Sequence, residues 1–151
     1  MFALLIACKT APDPAVPLVY DDAALACDVS EGDQNASLFV DADGHLVIDW
    51  AEETFWAIAI TTPGAQIQRG GLLESGRIHW GVGGEDFGSQ LTPPLTFGVV
   101  PERATDYTAY MGGLYEELDP ERCYEVQFSD PTHLGFGRKQ FRLADLPLAT
   151  F

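Results

Sequence analysis

The stretch SLFVDADGHLVIDW (residues 37–50) limits what the chain can build. Two short apolar runs flank a turn carrying Asp-Gly, a strong local signal for a β-hairpin. In the second run Leu46, Ile48 and Trp50 fall on one face, with His45, Val47 and Asp49 opposite, which is the two-residue period of a strand. FWAIAI (55–60) is apolar throughout and rich in aromatic and β-branched residues, the composition of a central strand between two layers. RIHWGVG, PLTFGVV, CYEVQF and KQFRL are further short candidates, and Gly or Pro turns separate nearly all of them. Only TDYTAYMGGLYEEL has helical character, and Gly112-Gly113 in its middle argue against a long helix. The pattern predicts an all-β chain, an antiparallel β-sandwich of about seven to nine strands.

Composition narrows the function classes. The chain of 151 residues is 46% apolar, enough to bury a core. No apolar run reaches the roughly 18–20 residues that a bilayer-spanning helix needs. Acidic residues outnumber basic ones 23 to 8, for a net charge of −15. Nucleic acid binding needs a basic footprint, and this chain has none; adsorption to anionic headgroups is disfavoured for the same reason. The acids stand in scattered pairs (Asp21-Asp22, Glu52-Glu53, Glu85-Asp86, Glu116-Glu117), as on a solvated surface, with divalent cation binding as the alternative.

The segment LDPERCYEVQF (118–128) sharpens the fold. Leu118, Pro120, Tyr124 and Val126 resemble the fibronectin type III pattern in which a Leu and a Pro lead to the Tyr that opens strand F. That resemblance implies an immunoglobulin-like sandwich with a tyrosine corner, the Tyr124 ring in the core and its hydroxyl reaching back to upstream backbone. LVIDW similarly resembles strand B of that family, with Trp50 as the core tryptophan. Residues 61–123 separate FWAIAI from Tyr124, more than the family usually needs, so an insertion or extra hairpin is expected there.

The N-terminus carries a second resemblance. Leu5-Ile6-Ala7-Cys8 is similar to a bacterial lipobox: aliphatic residues, a small residue before the cut, then the cysteine that receives a diacylglycerol through its sulfur. FALLIA is short for a signal, which a start codon placed too late would explain. Pro12, Pro14 and Pro17 then punctuate a stretch without helical or strand period, which reads as a semi-rigid tether. The expected organisation is a short lipoprotein signal peptide at 1–7, lipidated Cys8 and tether at 8–26, and the sandwich domain at 27–151. In Gram-negative sorting, Lys9 after the cysteine implies the outer membrane, with the lipid in contact with the membrane. With Cys8 assigned to the anchor, Cys27 and Cys123 remain. Paired in an oxidising compartment, they would close a loop worth about 4–5 kcal/mol; otherwise they are two buried thiols.

Chemistry-bearing motifs are sparse. Asp41-Ala42-Asp43-Gly44 has the opening of a calcium loop but not its later ligands, so a hairpin turn is expected. His45, His79 and His133 share no metal-ligand spacing, and no CxxC occurs, so neither metal nor cofactor is expected. GVGGEDFG (81–88) is glycine-rich, but GSQLTPPL after it cannot start the helix that a phosphate loop needs, so it reads as a flexible connection. No GxSxG is present. Trp50 and Trp56 are expected in the core, and Trp80 is the best candidate for exposure as a carbohydrate-stacking surface. His79 and Trp80 should alternate across a strand, one in and one out.

These readings converge on a cell-envelope lipoprotein whose sandwich is a non-catalytic binding or structural module. Its ligand would be an envelope protein or a glycan, met by the segments 81–93 and 129–138. Two alternatives stand beside it. One is an envelope hydrolase of glycan or peptide, which would bring His79 or His133 to two carboxylates. The other is a calcium-stabilised adhesion module.

Overall fold

A computed structural model of the chain describes residues 27–28, 36–51, 55–67, 73–86, 90–129 and 137–149. Strands β1 (Ala36–Val40) and β2 (Leu46–Trp50) form the hairpin written into their sequence. The Asp41 carboxylate closes its turn by accepting from the backbone N–H groups of Asp43 (3.0 Å) and His45 (2.8 Å). Gly44 supplies the left-handed backbone the turn requires, with φ of 89°. Strand β3 (Ala57–Thr61) is followed by a small hairpin, β4 (Gln66–Ile67) and β5 (Leu73–Ser75). Then come β6 (Ile78–Gly84), β7 (Leu95–Thr96), β8 (Ala104–Asp106), β9 (Tyr124–Ser129) and β10 (Gly137–Phe141).

All strand pairings are antiparallel. One sheet has the order β1-β2-β7, and the second β10-β9-β3-β6-β8. This is the strand order of an immunoglobulin-like sandwich with a short extra strand, β8, beyond β6. FWAIAI therefore supplies the centre of the larger sheet. The inner faces meet over Leu46, Ile48 and Trp50 of β2, Ile58 and Ile60 of β3, and Tyr124, Val126 and Phe128 of β9, all buried. Among the described residues no helix is long and apolar enough to cross a membrane.

One side of the sandwich is tied across its two sheets. Lys139 on β10 donates to the Ala36 carbonyl at the start of β1 (3.0 Å). Cys27 is disulfide-bonded to Cys123, with Cα atoms 5.4 Å apart and a separation of 96 positions in sequence. The Asp28 N–H donates to the Gln140 side chain beside it. At the end of β1, Val40 exchanges backbone hydrogen bonds with Pro147 and Ala149, so residues 147–149 cover part of this edge.

The outer face of the five-stranded sheet is also covered, and residues 81–84 correct the expectation that 81–88 is a flexible connection, while 87–88 lie outside the described residues. Gly81 to Gly84 belong to β6, and all four are buried. At Gly81 and Gly83 the lack of a side chain is what the packing demands. A Cβ on Gly81 would collide with the Met111 side chain, and one on Gly83 would meet the Tyr107 ring at 2.8 Å. Residues 107–113 lie over this face, pinned by Tyr107 N–H to the Gly81 carbonyl (2.8 Å) and by Gly81 N–H to the Thr108 hydroxyl (2.9 Å). On β9 of the same sheet Glu125 is buried. Its carboxylate accepts from Gly64 N–H (3.3 Å), Gln127 (3.0 Å), Gln140 (3.4 Å) and Arg138 (3.4 Å). Burying a carboxylate is tolerable only with such a set of donors.

A bulge adjusts β6. Ile60 pairs with Trp80 but Thr61 pairs with Ile78, so His79 is the extra residue. Ile78 consequently packs outside the main core, with Ala59 and Met111. The expected alternation of His79 and Trp80 across the strand fails for this reason: both are buried. Trp80, expected as the exposed tryptophan, is fully enclosed and meets Phe97 edge-on at 5.6 Å.

Candidate functional site

The residues that the sequence singled out fall into separate places. Cys8 and His133 lie outside the described residues, as does 130–136 of the second expected binding loop. Tyr124 opens β9 with its ring buried, and its hydroxyl accepts the Asp119 N–H at 2.8 Å. Leu118 is buried beside it, while Pro120 is exposed and its carbonyl accepts the Ala144 N–H at 3.1 Å. This corner and the Cys27–Cys123 bridge sit on adjacent residues, so they fix the head of β9 rather than present a ligand surface.

The histidines are equally dispersed. His45 is exposed on the β1–β2 turn, and its Nδ1 lies 3.3 Å from the Asp41 carboxylate. With Asp43, these residues bring one ligand atom each to within 4.8 Å of one another. The His45 N–H, more than any other contact, holds the Asp41 carboxyl below the ordinary carboxylate value of 3.8, and the Asp43 N–H acts in the same sense. Asp41 is therefore occupied in closing the turn. His79 is buried with its ring edge-on to Tyr124 at 5.1 Å. The Glu116 carboxylate reaches within 3.9 Å of its Nδ1, while Arg77 holds the same oxygen at 3.2 Å.

A different surface emerges where the sequence had shown only an expected insertion. Among the described residues, the large apolar side chains most exposed to solvent are Val99 (56%), Val100 (41%), Tyr110 (64%), Leu114 (71%), Tyr115 (57%) and Leu148 (70%). All but Leu148 lie in the connection from β7 to β9. Isolated exposed apolar residues are ordinary; here five fall within one connection.

Two arrangements make up this surface. At one, the Tyr107 ring lies between Trp56 (5.9 Å) and exposed Tyr110 (6.2 Å). Trp56, expected in the core, is only half-buried here, and its indole N–H donates to the Asp86 carbonyl at 2.7 Å. At the other, Tyr115 stacks on Phe97, whose opposite contact is Trp80 in the core. The Tyr115 ring also covers Gly98, where a Cβ would meet it within 3.0 Å. Val99 follows Gly98 directly and Leu114 precedes Tyr115, so the contact of Tyr115 with Gly98 brings these two backbone segments side by side.

The backbone there is held in place. Gly98 has φ of 80°, which ends β7 and turns the chain, so PLTFGVV is a strand only through Thr96. Gly113 packs against Ile78, and Leu114 N–H donates to the Ile78 carbonyl at 3.3 Å. The signal available in the sequence was the apolar content of a segment unfit for either helix or strand. Compared with known protein families, with characterised proteins and with solved structures, the chain matches none.

Proposed function

We propose that this chain is a non-catalytic binding module of the cell envelope, anchored through a lipid on Cys8, that meets its partner with the connection between β7 and β9. The observation that carries the binding role is the concentration of exposed apolar side chains at 99–115 on a backbone fixed to the sheet. A preorganised apolar surface loses little conformational freedom on association, which favours recognition. The Leu118, Pro120 and Tyr124 corner and the strand order support reading the sandwich as fibronectin type III-like. Such folds host many functions, so the role rests on this surface rather than on the architecture. The lipobox-like Leu5-Ile6-Ala7-Cys8, the proline-dotted tether and the bridge between the two remaining cysteines support the envelope location.

Two experiments test this reading. Labelled palmitate fed to a Gram-negative host should enter the protein and be lost in Cys8→Ser; label that survives the substitution removes the anchor. A photo-crosslinking amino acid at Leu114 should capture a discrete partner in cells, and the same group at exposed Ser37 on β1 should not. Equal capture at both positions removes the binding surface.

A further inference from the structure

Resting on that binding role, we propose that the partner of the Tyr115 surface is a protein segment combining apolar side chains with lysines or arginines. The apolar part follows from the surface itself. Tyr115 is backed by Phe97 and Trp80, so a partner side chain would pack on a ring that cannot retreat. Aromatic residues fixed this way are the usual energetic centre of an interface.

The basic part follows from charge. Glu102 comes two residues after Val100, and Glu116 and Glu117 follow Tyr115 directly; all three are exposed. Arg77 offsets Glu116 at 3.2 Å, exposed Arg103 follows Glu102 in sequence, and Glu117 adds a further exposed acid two residues past Tyr115. Beyond the rim the whole chain carries −15, a field that draws cationic partners and repels acidic ones. A second copy would bring an equal negative charge to the same place, and an anionic membrane would do likewise. An apolar segment flanked by basic residues satisfies both the ring and the rim.

The test uses the full chain carrying Cys8→Ser, isotopically labelled, and three short synthetic peptides. One intersperses leucine with lysine, the second has glutamate for each lysine, and the third has serine for each leucine. The leucine–lysine peptide should shift the amides of 98–100 and 114–117, with affinity falling as salt rises. The other two peptides should bind at least about tenfold more weakly, as should the leucine–lysine peptide to Leu114→Ser or Glu117→Lys. Equal binding of the glutamate peptide at these amides overturns the basic partner and leaves the surface as a binding site. Shifts spread over the acidic surface without this centre overturn both. A dimer in sedimentation that disappears in Leu114→Ser makes the occupant a second copy and also overturns the proposal.

Discussion

Tyr115 lies on Phe97 with ring centroids 5.4 Å apart and planes inclined by 24°. One ring is more than half exposed and the other buried, so the pair joins the interior of the sandwich to its surface. Stacked aromatic pairs contribute about 0.5–1.5 kcal/mol beyond their buried area. Tyr115→Ala should therefore cost about 1–2 kcal/mol in denaturant unfolding and raise the solvent exposure of Phe97. Leu114→Ala, with its side chain largely in water, should change stability by less than about 0.5 kcal/mol. Equal losses for the two variants would show that Tyr115 is not supported by the core.

The Tyr124 hydroxyl accepts the Asp119 N–H at 2.8 Å. Tyr124→Phe keeps the ring but removes this acceptor from a partly buried donor. A loss of about 1–2 kcal/mol in unfolding free energy is expected, with the fold retained by circular dichroism. An unchanged midpoint would mean that water replaces the hydroxyl without cost.

Asp41 ties acidity to the β1–β2 turn. Its carboxyl is held below the ordinary value by the N–H groups of His45 and Asp43, so the folded state binds its proton less readily than the unfolded chain does. The contribution is present above the unfolded value near 3.8 and is lost as pH falls through the lower folded value. Asp41→Asn should lower the melting temperature at pH 6, and the gap from the parent should close under strongly acidic conditions. A gap that is constant with pH would remove the charged hydrogen bonds as its cause. Calcium at millimolar concentration should leave both proteins unchanged, since one carboxylate oxygen already accepts two N–H groups and His45 offers nitrogen to a cation that prefers oxygen.

The bridge between Cys27 and Cys123 restrains a long segment of unfolded chain. Cys27→Ala, which leaves buried Cys123 in place, should cost about 3–5 kcal/mol and make the midpoint insensitive to added dithiothreitol. The parent protein should respond to the reductant by a similar shift.

The inner sheet faces were legible because their information is local. Leu46, Ile48 and Trp50 alternate with more polar neighbours, and Asp-Gly marks the turn before them. The β6 glycines were not legible. Gly81 and Gly83 resemble loop residues until Met111 and Tyr107 are seen lying across them, and that partnership joins segments far apart in sequence. Trp80 was misplaced for a related reason, since the bulge at His79 leaves no periodic trace. Val99 and Val100 look like the continuation of a strand, yet Gly98 turns the chain first. The Tyr115 surface was hidden because an apolar residue in an irregular segment has no period to reveal whether it faces inward or outward.

The position of the disulfide also decides how the molecule carries a mechanical load. Cys27 precedes β1, and its bond leads directly to Cys123 at the head of β9. Tension from the N-terminal side would pass through this covalent link and continue toward Leu114 along the short intervening chain. Strands β1 to β8 lie in the bypassed loop, so a pull between Cys27 and Tyr115 would not peel them apart in sequence.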